Sequence, residues 1–440
     1  MPKKKDKVKL PRVRGKRWIR DGLPTTTQKW RPGKHHSANK DRALGLALSE
    51  AVAKHAWKWP RRRVFFIADP HADAEAFNAS LVASGGVRKT GPGYFDIKLT
   101  RQGRKSLFII GGDCLDKGPS SLEVLRSVHN LMRMGARVKL LAGNHDIRLL
   151  MGLRALQLKR RNTLTEHFFL RMGPKIVPLF KEVHAEYLQT KKALRGVPSK
   201  QKCREELYPR DDWFREFPKK AAHLLSEPGI EREITRMNKK LNIFEQSCKE
   251  AGLSMRDVYA TAHKCKELFL KPGGEFAWFF REMQLAYRKG SLIFLHAGFD
   301  DQVAKMIESK GVSYLNRLYK KQVRRDLFNF YYGSLANTMR TKYRNVDKPL
   351  TRDGVQRTYR RGIHVVIHGH RNITNGQRIM LRKGMVHVES DITMDRNSRK
   401  KEGLDYYGIG VTIVDPKGRI IGISTDHPYA KVFEPGIYLQ

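Results

Sequence analysis

The stretch Gly111-Gly112-Asp113-Cys114-Leu115-Asp116-Lys117-Gly118-Pro119 follows the apolar run Ser106–Ile110, which reads as a short buried strand. Taken alone, two carboxylates three residues apart at a strand exit suit a Gly-rich turn in which Asp113 or Asp116 caps the next helix. The rest of the chain favours a ligand loop. Val64–Ala68 runs into Asp69-Pro70-His71, and Val138–Ala142 into Gly143-Asn144-His145-Asp146. Further on, Leu292–Leu295 leads to His296-Ala297-Gly298, and His364–Ile367 to His368-Gly369-His370. Each of five apolar, strand-like runs therefore empties into a loop carrying Asp, Asn or His. In open α/β sheets the carboxyl ends of strands are where sites assemble, so these loops are expected to converge.

Carboxylate, imidazole and amide oxygen in one cage suit borderline divalent ions such as Mn, Fe, Zn, Co or Ni better than Ca. Two such ions need a ligand that bridges them, and Asp113, central in the series, is the best candidate. Asp69 and His71 then complete one metal, and Asn144, His296 and His370 the other. The neutral amide of Asn144 limits the negative charge of the cage and leaves net positive charge to hold an anion.

The chain has 440 residues, 40% of them hydrophobic, enough for a substantial core, and no apolar run approaches the roughly 20 residues of a membrane span. The basic start lacks the apolar segment of a signal peptide. Four cysteines (Cys114, Cys203, Cys248, Cys265) with no C-x-x-C pair form neither a disulfide framework nor a zinc ribbon, so a reducing, cytoplasmic compartment is expected. With 87 Lys+Arg against 43 Asp+Glu, the net charge of +44 implies a polyanionic partner: nucleic acid, a ribonucleoprotein, an anionic membrane surface or a phosphorylated substrate.

Residues 1–45 read as a basic, largely irregular arm with Trp18 and Trp30 interspersed. Residues 46–150 carry the first strand-loop units, with helices over Arg42–Trp57 and Leu122–Met134. Residues 151–290 are charged and helix-periodic, as in His167–Leu188, Asp212–Leu225, Glu231–Ala251 and Gly274–Tyr287, and read as a helical insertion or cap. Residues 291–440 resume the strands around a helical segment at 302–344. Met385–Asp391, Gly408–Val414 and Arg419–Ser424 read as closing strands of a second sheet, with His387 structural among them. The fold class expected is α/β, a layered sandwich.

The order Asp69-x-His71, Gly112-Asp113-x-x-Asp116-Lys117-Gly118, Gly143-Asn144-His145-Asp146, His296-Ala297-Gly298, Gly369-His370 resembles the calcineurin-like metallophosphoesterases. Within them it is most similar to the phosphoprotein-phosphatase and diadenosine-tetraphosphatase-like branch. The resemblance covers roughly 64–150 and 290–425. It implies a four-layer α-β-β-α sandwich with two divalent ions, the first held by Asp69, His71 and Asp113 and the second by Asp113, Asn144, His296 and His370. It also implies that a metal-bridging water attacks phosphorus in line, that His145 protonates the leaving alcohol, and that Asp116 orients His145. The activity implied is hydrolysis of phosphomonoesters, including those of protein Ser and Thr. A nucleotide-polyphosphate or RNA-end hydrolase is the alternative, and a nucleic-acid- or ribosome-associated binding protein that keeps the fold is an alternative of another class.

Three departures stand out. Lys117 replaces an arginine usual in that branch and gives up its planar two-pronged grip on phosphate. Asp146 stands where the protein phosphatases commonly have Glu. The last motif is His-Gly-His, without the additional ligand of the nuclease-type members. Lys117, Arg148, Arg340 and Arg352 are candidate phosphate-binding residues, with Arg344 a weaker one. His368 reads as a core residue and Cys114 as a packing residue.

Overall fold

A computed structural model describes residues 8–13, 19, 22–34, 37–158, 160–190 and 193–439. The strands are β1 Thr27–Lys29, β2 Val64–Ile67, β3 Val87–Lys89, β4 Ile97–Leu99, β5 Leu107–Ile110, β6 Arg137–Leu141, β7 Met283–Gln284 and β8 Ala286–Lys289. They continue as β9 Leu292–Leu295, β10 Val365–His368, β11 Arg378–Arg382, β12 Met385–Glu389, β13 Gly410–Asp415, β14 Arg419–Ser424 and β15 Ala430–Phe433. An eight-stranded sheet runs β1-β15-β14-β13-β2-β5-β6-β7, and a five-stranded sheet runs β11-β12-β10-β9-β8.

The apolar runs are continuous because both faces of these strands are covered. Val64 and Phe66 of β2, Leu107 and Ile109 of β5, Leu292 and Phe294 of β9, and Val365 and Ile367 of β10 meet in one core between the sheets. The Phe66 and Phe294 rings sit 5.9 Å apart across it. The intervening residues, Phe65, Phe108, Ile293 and Val366, face outward into a second core with the surrounding helices, including Ala74–Ala83 and Ser121–Arg133. Strand periodicity thus makes the α-β-β-α sandwich that the sequence implied. Truncating a ring such as Phe66, which has no exposed surface, would cost about 3–5 kcal/mol.

Four details differ from the sequence reading. Within the arm, β1 pairs in parallel with β15, and Trp30 is buried in the inter-sheet core. Trp18 and the arm's first seven residues lie outside the described residues. The helix expected over 274–287 spans only Ala277–Glu282, because the next residues pair as β7 with β6 and β8 with β9. β13 and β14 belong to the first sheet, where β13 lies antiparallel to β2, so only β12 of the three closing strands is in the second sheet.

Helices fill the insertion, among them Val177–Tyr187, Glu227–Glu250 and Met255–Leu270. The segment from 302 to 344 is also helical, as Asp301–Lys310, Val312–Arg325, Leu327–Tyr332 and Ser334–Arg340. Among the described residues no helix is long and apolar enough to cross a membrane. All four cysteines are buried and free.

Candidate metal centre

β2, β5 and β6 are parallel neighbours in one sheet, and β9 and β10 in the other, so five carboxyl ends open at one place. Backbone contacts lock the loops together. His71 N donates to Asp113 O at 2.8 Å, Gly369 N to His296 O at 2.9 Å, and His145 N to Asp113 Oδ1 at 2.8 Å. His370 N donates to the Asp69 carboxylate at 3.0 and 3.2 Å. Two glycines are required by close approach: a Cβ at Gly143 would overlap the backbone N of Asp113, and one at Gly369 would overlap Asp69 Oδ1. Asp69, His71, Asp113, Asp116, Lys117 and His370 all have positive φ, between 42° and 76°. Such backbone persists only where the surrounding structure enforces it, and it gathers at functional sites.

Asp113 is the hub. Its Oδ2 lies 3.4 Å from His296 Nε2, 3.8 Å from His71 Nε2 and 3.9 Å from His145 Nε2. Two groups of metal-capable atoms share it: His71, Asp113 and His145, and Asp113, His296 and His370, each group with its atoms within 4.8 Å of one another. These are two candidate divalent-metal sites with a common carboxylate. Asp69 Oδ2 is 3.9 Å from His71 Nε2 and joins the first from the side.

The donor chemistry fits two cations. His296 Nδ1 faces Gly111 O at 2.8 Å, His370 Nε2 faces Arg340 O at 3.2 Å, and His71 Nδ1 faces Leu115 O at 3.3 Å. A backbone carbonyl behind each ring fixes its tautomer and aims the other nitrogen inward, the usual support of a metal-binding imidazole. One end of the Asn144 carboxamide lies 2.9 Å from His370 Nδ1, 3.3 Å from His296 Nε2 and 3.1 Å from Met339 O. With its oxygen there, lone pairs converge and call for a cation; only turning the amide satisfies them without one.

Electrostatics agree. Burial, then Asp391, pushes the Asp69 carboxyl well above its usual range. Burial would raise Asp113 too, but His296 and His145 outweigh it and hold the carboxyl low. Burial, then Lys117, keeps the His71 imidazole well below its usual range, and burial with His296 does the same for His370, so both are neutral lone-pair donors. His296 runs the other way: burial disfavours its charge, yet Asp113 and Asp69 lift it to about 10.

His145 differs from the three carbonyl-backed histidines. Its Nδ1 lies 2.8 Å from Asp116 Oδ2, a carboxylate, and Arg148 Nη1 approaches the same oxygen at 3.5 Å. Lys117 Nζ sits 2.7 Å from His71 Nε2. Arg340 offers its carbonyl to His370, while its guanidinium lies over the Tyr331 ring. Arg352 is exposed on the helix Arg352–Tyr359 and makes no hydrogen bond or ion pair with these residues, and Arg344 pairs with Asp347. His368 and His387 are buried against each other, and neither belongs to the two ligand groups.

Sequence reasoning gave Asp146 no role and missed two further residues. Asp146 accepts from Cys114 N, Leu115 N and Gly143 N, clamping two ligand loops together. Asp391, one residue past the Glu389-Ser390 end of the strand region, is buried with Oδ2 unpartnered and lies in the field of Lys117, His296 and Asp113. Its signal, an apolar strand emptying into Asp, is the one that marks the other loops. Lys175, from the insertion, lies within the fields of Arg148, Asp116 and Lys117, and no motif announces it.

Residues 62–240 match the family model described as calcineurin-like phosphoesterase. No curated protein matches the sequence. Among solved structures, a cold-active protein tyrosine phosphatase shares 13% identity over 84% of this chain and 78% of its own, with a TM-score of 0.43. A cold-active protein-tyrosine phosphatase of a psychrophilic Shewanella species shares 11% over 85% and 80%, with a TM-score of 0.41. A protein serine/threonine phosphatase from Saccharomyces cerevisiae shares 12% over 90% of each chain, with a TM-score of 0.38.

Proposed function

From a chain that carries a calcineurin-like metallophosphoesterase domain, we propose a dinuclear phosphomonoesterase of the phosphoprotein-phosphatase and diadenosine-tetraphosphatase-like branch, acting on phosphorylated Ser and Thr of proteins. The observation that carries the reading is the contrast among the histidines: three rest on backbone carbonyls, while His145 rests on Asp116.

In this reading Asp69, His71 and Asp113 hold one ion and Asp113, Asn144, His296 and His370 the other, with Mn the first choice to supply. The ions provide Lewis-acid stabilisation of the phosphoryl oxygens and lower the pKa of water. His145 holds a proton on Nε2 for the leaving oxygen. Burial lowers its pKa below the usual imidazole value; the Asp113 and Asp116 carboxylates oppose that without cancelling it. Lys117 and Arg148 bind the phosphoryl oxygens, with Arg340 at the rim. Residues 46–150 and 291–440 are read as the core, completed by β1 and Trp30 of the 1–45 arm and by β7 and β8 at the end of 151–290, whose helices are read as a cap; the net charge of +44 on the whole chain favours a polyanionic partner.

The test is turnover by the Mn-loaded protein of an aryl phosphate, a phosphopeptide, a dinucleoside tetraphosphate and 5′-triphosphorylated RNA. Phosphopeptide and aryl phosphate are expected to be hydrolysed, and preference for either nucleotide substrate would reject the protein-phosphatase reading. His145→Ala is expected to abolish turnover of unactivated esters with two metals still bound. Loss of a metal instead would make His145 a ligand, as its place in the first cluster allows.

A further inference from the structure

The end of the first sheet opposite the metal centre is cationic. Arg61, Arg62 and Arg63 lead into β2, Arg104 and Lys105 precede β5, and Arg137 opens β6. Because β2, β5 and β6 are parallel neighbours, their amino ends set these groups side by side at the ~4.8 Å spacing of strands. The ligand loops leave the other ends of the same strands. Asp69 comes six residues after Arg63, roughly 20 Å along an extended chain, so the two regions are separate.

The row forms the wall of a groove rather than a convex surface. Two cavities, about 580 and 660 Å³, adjoin through Arg63, Gln102 and Arg104. The larger continues past Arg12, Arg88, Lys98 and Arg101, with Lys9 of the arm at its edge. Among the described residues twelve lysines and arginines line the two, against one carboxylate, Asp415, which Arg63 already engages. Among the described residues Arg61, Arg62, Arg88, Arg101, Arg104 and Lys105 form no ion pair. Concentrating this many like charges is destabilising unless an anion occupies the groove.

The lining says which anion. Eight of the twelve are arginines, whose planar forks match phosphate oxygens two at a time. The groove is concave, and among the described residues no exposed large apolar side chain such as Leu46 or Phe95 lines it, which disfavours a flat bilayer that needs apolar insertion. Among the described residues no aromatic ring lines either cavity, so unpaired bases find no stacking platform on them. We propose that this groove binds the phosphodiester backbone of a double-stranded nucleic acid, without reading its sequence, at a site distinct from the metal centre. Phosphate contacts of this kind position a protein and carry no base specificity.

The experiment uses the full chain and fluorescence anisotropy with labelled duplex DNA, duplex RNA and the matching single strands, between ~50 and ~200 mM salt. Duplexes of scrambled sequence should bind equally, and any preference between DNA and RNA identifies the source of the duplex. The variant R62A/R101A/R104A, all exposed positions, should flatten the slope of log K against log salt for duplex DNA by about 2.7, at ~0.9 for each phosphate no longer neutralised. Its affinity at the lowest salt should fall at least ~10-fold, while turnover of an aryl phosphate stays at the parental value and shows that the fold is intact. An unchanged slope, no duplex binding by the parent, or tighter binding of single strands, poly-glutamate or anionic vesicles overturns the proposal.

Discussion

Replacing Asp116 by Asn removes one charge and leaves the outline of the side chain intact. In the parent, Asp116 Oδ2 lies 2.8 Å from His145 Nδ1, and both residues are nearly inaccessible, at 5% and 7%. Opposite charges at ~4 Å in a medium of effective dielectric about 20 attract by about 4 kcal/mol. An amide oxygen keeps the hydrogen bond and recovers part of this, leaving a loss of about 1–3 kcal/mol, or roughly 1–2 units in the pKa of His145. Arg148, no longer neutralised at 3.5 Å, pushes in the same direction. A general acid must be protonated to work, so the alkaline limb of the pH profile of kcat/KM should move down by about 1–2 units, and activity at pH 8 should fall roughly 10- to 100-fold. The assay compares two esters. A nitrophenyl phosphate, whose leaving group departs without a proton, should be nearly indifferent to the change, whereas an alkyl phosphate should show the full effect. Equal losses on both esters, or an unmoved alkaline limb, would refute the assignment of acid and orienting residue.

Lys117→Ala should lower kcat/KM for aryl phosphate by roughly 10- to 100-fold, the worth of one charged hydrogen bond, and Lys117→Arg should restore most of it; steady-state kinetics decide this. Gly369→Ala drives a methyl group into Asp69 Oδ1, so metal content measured by mass spectrometry should fall from two ions per chain while far-UV circular dichroism is kept. His167, buried beside Tyr332, is held neutral by burial with its pKa lowered to about 3, against ~6.5 in an unfolded chain. The unfolded state therefore takes up a proton first, and this contribution is complete above pH ~6.5 and is lost as pH falls toward 3. Urea unfolding at pH 7.5 and pH 5 should show about 2 kcal/mol less acid destabilisation in His167→Gln than in the parent.

The sheets and their loops were legible because parallel strands buried on both faces are apolar without interruption, and polar residues resume where they end. GGDCLDKGP and GNHD stood out for that reason, and the alternation of Phe65 and Phe66 between two cores could have been written from strand period alone. The misses share a cause. β1 is three residues long, and its strand state comes from β15, some 400 positions away. Met283–Lys289 continues a helical pattern yet pairs with β6 and β9, tertiary pairing overriding local preference. Lys175 reaches the site by the packing of the insertion, which no spacing encodes. Asp391 carries the same signal as the other ligand loops, but a closing strand's end reads equally well as a plain turn.

The hydrogen bonds from His370 N to Asp69 also set an order in time. They join residues 301 positions apart, and the candidate ligands of the second ion fall on either side of the insertion, Asp113 and Asn144 before it and His296 and His370 after it. At ~5–20 residues per second on the ribosome, roughly 15–60 s separate synthesis of the first carboxylate from that of the last imidazole. Over that interval Asp69, His71 and Asp113 exist without the histidines that complete the cage. Loading of the second ion therefore comes after the cap has been made, and the two halves of the sandwich close around a second site that neither can build alone.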